Sequence, residues 1–92
     1  SLYRKALDIE RKTFPEDHWR IARTKSLLGD CLTAMQRYDK AEQLLVQAYP
    51  IIKVQFGDDH PRTRASLKFL MNLYEAWGKP EKVAEYRAIA SK

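Results

Sequence analysis

Phe14-Pro15-Glu16-Asp17-His18-Trp19-Arg20 and, 42 residues later, Phe56-Gly57-Asp58-Asp59-His60-Pro61-Arg62 are two versions of one loop. Each carries a helix-breaking Pro or Gly, loop acids, and then Asp-His followed two residues on by Arg. The register holds on both sides of the loop. Leu2, Ala6 and Ile9 line up with Leu44, Ala48 and Ile51, and Arg20, Leu28, Ala34 and Lys40 line up with Arg62, Leu70, Ala76 and Lys82. A period in this range marks stacked supersecondary units, each too small to bury its own apolar face. Arrays of that kind present surfaces, so the expected activity is binding.

Shorter breaks at Gln36-Arg37-Tyr38-Asp39 and Gly78-Lys79-Pro80-Glu81 divide the chain into five helical segments, near 1–13, 19–35, 39–55, 61–77 and 80–91. Ala41, Leu44, Leu45, Ala48 and Ile52 recur at steps of three and four, as one helix face requires; Leu67, Leu70, Met71, Tyr74 and Trp77 do the same. No strand-like alternation occurs, and the fold class is all-α. His60 precedes proline and so sits at a helix boundary, and Pro61 suits the first helical turn. The loop acids favour the positive dipole end of the helices that follow. Pro50 lies inside the third segment, where it removes one backbone hydrogen bond. Because Ala48 and Ile51 keep the register around it, the helix is expected to continue with a kink.

Ninety-two residues form one small domain with a thin core. A composition of 45% hydrophobic and 32% charged residues argues against disorder, and no apolar run reaches the length of a bilayer span. The chain opens in the middle of an amphipathic segment, without an initiator Met or a signal-peptide pattern, as expected of a piece of a longer protein. Cys31 is the only cysteine. It excludes an internal disulfide, fits a reducing, cytoplasmic setting, and is expected in the core because it falls in an apolar stripe. A net charge of +5 permits an acidic partner without requiring one.

Leu28-Gly29, Leu32, Tyr38, Ala41, Leu45 and Ala48 occupy the spacing of a tetratricopeptide repeat, and Leu67, Leu70, Tyr74, Gly78 and Ala90 hold matching positions in the next unit. The chain therefore resembles that family over its whole length, and its 42-residue period resembles the kinesin-light-chain variety. Similar arrays occur in bacterial multidomain proteins, some attached to serine/threonine kinases. The resemblance implies antiparallel helix pairs stacked as a right-handed α-solenoid, about two units plus one preceding helix. Residues 1–17 would be the trailing helix and loop of a preceding repeat, 18–59 the first full repeat, and 60–92 the second repeat and a C-terminal cap. The pattern is broken by Lys25, where the second unit has Leu67, by Met71 and Val83 in place of Gly29 and Ala41, and by Arg87 in place of Leu45. Lys82, Glu85, Arg87 and Lys92 make the last helix polar enough to end an array.

In this family the first helix of each pair lines a concave wall, and the resemblance implies that partner peptides lie there. On the helix over 19–35 the face away from Leu28 and Leu32 carries Arg23, Ser26, Asp30 and Thr33; the register equivalents on 61–77 are Ala65, Lys68, Asn72 and Glu75. The expected partner-binding residues are Arg23, Ser26, Asp30, Lys68, Asn72 and Glu75. An amide such as that of Asn72 both donates and accepts, which suits an extended peptide, and Arg23 and Lys68 suit a carboxylate. Arg20, Arg23 and Lys25, and again Arg62 and Arg64, crowd helix starts against the dipole. Either an acidic partner or local pairing with Glu16, Asp17, Asp58 and Asp59 accounts for them, and the local account needs no partner.

His18 and His60 are repeat equivalents and are expected to anchor loops at helix starts rather than converge on a metal. Trp77 extends an apolar stripe, whereas Trp19, beside a loop, is the better candidate for partial exposure. No phosphate loop, nucleophile elbow or Cys/His/Asp cluster occurs, so no catalytic residue, cofactor or metal ligand is assigned. The expected function is a non-catalytic module binding a protein or peptide. The rival is a basic helical-repeat adaptor for RNA or another polyanion, although two repeats are few for base reading. A structural spacer within a longer solenoid is a third reading. No membrane partner is expected. The opening helix exposes the apolar positions Leu2, Ala6 and Ile9, which implies weak self-association through that end.

Overall fold

A computed structural model describes all 92 residues. Five helices follow one another, α1 (Leu2–Thr13), α2 (Trp19–Ala34), α3 (Tyr38–Phe56), α4 (Pro61–Trp77) and α5 (Pro80–Ala90), within one or two residues of the segments read from the sequence. Each packs on the next in chain order, and α2 also touches α4 across the array. The body is a flat slab of 37 × 29 × 16 Å.

The helix ends repeat as faithfully as the loops. His18 and His60 are the N-caps of α2 and α4, each imidazole Nδ1 accepting the backbone N–H two residues on, from Arg20 at 3.1 Å and from Arg62 at 3.0 Å. The acids Asp17 and Asp59 thus precede the cap rather than form it. At the other ends, Gln36 and Gly78 adopt φ of 63° and 74°. The following N–H groups reach back five residues, from Arg37 to the Leu32 carbonyl and from Lys79 to the Tyr74 carbonyl, both at 2.8 Å. This is the left-handed C-terminal stop that glycine favours; glutamine adopts it in the first repeat at a steric cost. α3 runs unbroken through Pro50, whose ring faces solvent.

The core joins all five helices: Leu7 from α1, Ile21, Leu28 and Leu32 from α2, Ala41 and Leu45 from α3, Leu70, Leu73 and Tyr74 from α4, and Val83 from α5. Leu28, Leu45, Ala48 and Leu70 are all buried, as their spacing predicts. Gly29 lets α2 and α3 approach until a Cβ there would lie 2.7 Å from Leu45 Cγ. Tyr74 is buried with its hydroxyl donating to Glu42 at 2.8 Å, and burial together with that carboxylate pushes the phenol above its ordinary range. Trp77 is half-buried and stacks on both Tyr38 and Tyr74.

Two residues of α2, Cys31 and Lys25, invert the usual burial of their side chains. Cys31 is exposed. The buried stripe of α2 runs through Ile21, Leu28 and Leu32, and Cys31 lies one residue, about 100° of helix, off that stripe. Lys25 is 6% exposed, with Nζ at 2.8 Å from Glu16 and 3.2 Å from the Gln47 amide oxygen. Its long stem fills the place that Leu67 fills one repeat later, while its charge is satisfied at the edge.

Candidate partner-binding surfaces

The two loops meet at one side of the slab and build a ladder of aromatic rings and guanidinium groups. Within each loop the capping histidine lies against the phenylalanine four residues before it, His18 on Phe14 at 4.4 Å and His60 on Phe56 at 4.5 Å between centroids. Trp19 joins the two loops by meeting Phe56 edge-on at 5.1 Å. Arg20 lies over Phe14 and Trp19, and Arg62 lies over Trp19 and Phe56. The ladder accounts for two of the five cations at the helix starts without any carboxylate. Lys25 is paired with Glu16, and Arg64 donates to the Ala90 carbonyl at 3.0 Å. Arg23 alone has neither ion pair, hydrogen bond nor aromatic contact. The Glu16 carboxylate is held at about 2, far below its usual range, first by its hydrogen bond with Arg11 and then by that with Lys25. Local pairing therefore explains Lys25, but not Arg23.

Beside the ladder, residues of α2, the end of α3 and α4 enclose a depression of about 270 Å³. Leu27, Ile52, Phe56 and Phe69 form its floor, and Arg23 and Arg62 stand at its rim. No carboxylate lines it. Ser26 and Ser66 line it too, each almost wholly buried and each with its hydroxyl unpaired by any protein group. A second, more polar depression of about 440 Å³ lies between α4 and α5, and it holds Lys68, Asn72 and Glu75 together with Arg64 and Arg87.

The six residues expected on one concave wall are thus divided. Arg23 is exposed on the first depression, and Lys68, Asn72 and Glu75 are exposed on the second. Asp30 is half-buried and lines neither. Ser26 is 3% exposed rather than a surface residue, because α4 packs beside it. Thr33 is also buried, its hydroxyl donating to the Gly29 carbonyl at 3.0 Å. Glu75 is not free either, since it pairs with Arg87 at 3.2 Å.

Sequence reasoning did not anticipate the floor of the first depression. Its signal was available: Leu27 and Phe69 are register equivalents, both apolar, and both one residue off the main stripe. No cluster of His, Cys, Asp and Glu able to hold a metal ion occurs.

A helix-pair array with this register has a family-level counterpart. A model described as tetratricopeptide repeat matches residues 1–51 and, overlapping, 20–86. The chain belongs to the tetratricopeptide repeat family. Repeats of this family generally mediate protein–protein interaction and are generally non-catalytic. No curated protein and no solved structure is significantly similar to the chain. No helix is long and apolar enough to cross a membrane.

Proposed function

We propose that this tetratricopeptide array is a non-catalytic module that holds an extended peptide segment in the groove between α2 and α4, with an apolar side chain seated next to a carboxylate. The observation that carries this reading is the first depression: an apolar floor, two arginines without carboxylate partners, and no acid among its lining. At about 270 Å³ it falls just below the ~300–1,000 Å³ typical of small-molecule sites, and so suits one large side chain better than a cofactor. A carboxylate beside the anchor would meet Arg23 and Arg62.

The test is fluorescence anisotropy with short peptides carrying Leu, Phe or Trp flanked by Glu, against the same peptides flanked by Lys. Glu-flanked peptides bind, Lys-flanked ones bind at least tenfold more weakly, and Leu27→Glu abolishes binding. Equal affinity for both series would overturn the reading. Titration of random single-stranded RNA against salt separates the polyanion alternative, which requires a log–log slope of about −0.7 per phosphate contact.

The 42-residue register and the Phe–His–Arg junction support the kinesin-light-chain likeness, and the lone unpaired Cys31 supports a reducing, cytoplasmic setting. Leu2 and Ile9 are 83% and 64% exposed, whereas their equivalents Leu44 and Ile51 are partly covered. Weak self-association through α1 is our reading of that difference. Sedimentation that detects only monomer at high concentration would refute it.

A further inference from the structure

Trp19 is the one member of the loop ladder that the repeat does not explain. Phe14, His18 and Arg20 return as Phe56, His60 and Arg62, but the residue 42 positions after Trp19 is Pro61. Proline suits the first turn of a helix, whereas neither capping nor helix propensity gives a reason for an indole there. Trp19 is half-buried and touches both loops, edge-on to Phe56 at 5.1 Å and 5.9 Å from the His18 ring.

A further contact of this indole reaches the rim of the α2–α4 groove. The Arg62 guanidinium lies 5.1 Å from the centroid of the Trp19 ring and 5.1 Å from that of Phe56. Its backbone N–H donates to the His60 cap at 3.0 Å, so main chain and side chain of Arg62 are both held. Arg23 shares the rim with Arg62 but has no such restraint. A long cationic side chain gives up rotamer freedom when it binds a carboxylate, and one already laid on aromatic faces has given up part of it beforehand. Arg20 lies over the same indole at 5.1 Å, yet it does not line the depression.

We infer that Trp19 is a positioning residue for the α2–α4 groove: a side chain from one repeat that holds the arginine of the next at the rim, and so sets the preference for a carboxylate beside the apolar anchor. The inference rests on the peptide-groove reading above, and it assigns that preference to a residue outside the groove's own lining. Removing the indole takes one aromatic face from Arg62 without touching its charge, and Leu27 and Phe69 keep the floor for the anchor.

The experiment uses the whole chain and its Trp19→Leu, Trp19→Phe and Arg20→Gln variants, each first shown by circular dichroism to melt as a folded helical protein. Two quantities are measured. The first is the NMR resonance of the Arg62 Nε–H in the free protein, assigned by its loss in Arg62→Lys; ring currents move such a proton upfield when it lies over aromatic faces. The second is the anisotropy of two labelled peptides with the same apolar anchor, one flanked by Glu and the other by Gln.

In the unchanged chain the Arg62 resonance is expected upfield of an exposed arginine's, and the Glu-flanked peptide should bind at least fivefold more tightly than the Gln-flanked one. Trp19→Leu should move the resonance downfield and cut that preference to twofold or less, through weaker binding of the Glu-flanked peptide. Trp19→Phe, which keeps an aromatic face, should retain most of both, and Arg20→Gln should leave the preference unchanged. A preference that survives Trp19→Leu, an equal loss for both peptides, or an Arg62 resonance indifferent to Trp19 would overturn the inference; the equal loss would make Trp19 a structural residue alone. A resonance that moves with Trp19 while neither peptide binds the unchanged chain would overturn the groove itself, and with it the preference assigned to Trp19.

Discussion

Replacing Gly29 with alanine puts a methyl group at the closest approach of α2 and α3. The added Cβ would lie 2.7 Å from Leu45 Cγ, 2.8 Å from Leu45 Cδ2 and 3.4 Å from the Ala41 carbonyl oxygen. Leu45 is fully buried, so its branch point has no free volume to retreat into. Two effects oppose each other. Alanine in a helix interior is favoured over glycine by about 1 kcal/mol. Overpacking a tight core contact costs about 1–3 kcal/mol, and here the second effect wins because the clash is with Cγ rather than a flexible tip. Gly29→Ala should therefore destabilise the protein by about 1 kcal/mol, lowering the melting temperature by roughly 4–8 °C for a domain of this size.

The second repeat supports this account. There Met71 occupies the same register, and the residue facing it, Arg87, turns outward to pair with Glu75. Urea and thermal unfolding followed by circular dichroism measure the effect. A cycle with Leu45→Ala isolates its cause, since the double variant should be less unstable than the sum of the singles by at least about 0.5 kcal/mol. A stabilised Gly29→Ala variant, or strict additivity with Leu45→Ala, would refute the close-approach argument.

Gln36→Gly should stabilise the chain by about 1 kcal/mol, because it places at the left-handed stop of α2 the residue that already ends α4; an unchanged urea midpoint would count against it. His60→Ala should cost about 1 kcal/mol through the lost Nδ1 cap, whereas His60→Asn, a good capping residue, should recover most of it. If alanine and asparagine prove equally damaging, stacking on Phe56 rather than the cap is what matters. Acid should also weaken the protein through Glu16. Its folded value of about 2 lies below the ordinary 4.5, so its contribution is complete above pH 4.5 and disappears as pH falls toward 2. With a carboxylate side chain 57% exposed, screening limits this to about 1 kcal/mol. Glu16→Gln should flatten that part of a stability–pH curve, and an unaltered curve would show that other carboxylates dominate.

The repeat and the buried apolar stripe could be read directly, because both are properties of one segment compared with itself. Leu28 and Leu70 are core residues for the same local reason, the three-and-four spacing of their helices. Burial that depends on a third helix could not be read that way. Ser26 and Lys68 are register equivalents on the same helix face, yet Ser26 is buried because α4 packs beside it and Lys68 is open. Lys25 was legible as a cation near a helix start and as a break in the pattern at the register of Leu67. Its burial requires Glu16 from the preceding loop and Gln47 from α3 to meet its ammonium group, and neither can be located from the periodicity of α2. The candidate surface split in two for the same reason: a helix face is a local property, but a groove belongs to a pair of helices.

The cations at the helix starts provide a way to tell structural residues from binding residues. Lys25 is paired with Glu16, Arg64 is bonded to the Ala90 carbonyl, and Arg20 and Arg62 are spread over aromatic rings. Substituting any of these disturbs folding and binding together, so a loss of affinity in Arg62→Glu would be ambiguous. Arg23 has no such internal use. A cation near the positive end of α2 is unfavourable, although the effect falls off beyond the first turn, so reversing it should leave stability unchanged or raise it by up to about 0.3 kcal/mol. If the α2–α4 groove receives a carboxylate, Arg23→Glu replaces an attraction with a repulsion at the rim, and affinity for the Glu-flanked peptide should fall at least tenfold. Stability and affinity would then move in different directions in one variant. A single measurement pair, unfolding midpoint and anisotropy, decides the matter: loss of both would make Arg23 structural, and retention of full affinity would remove it from the binding surface.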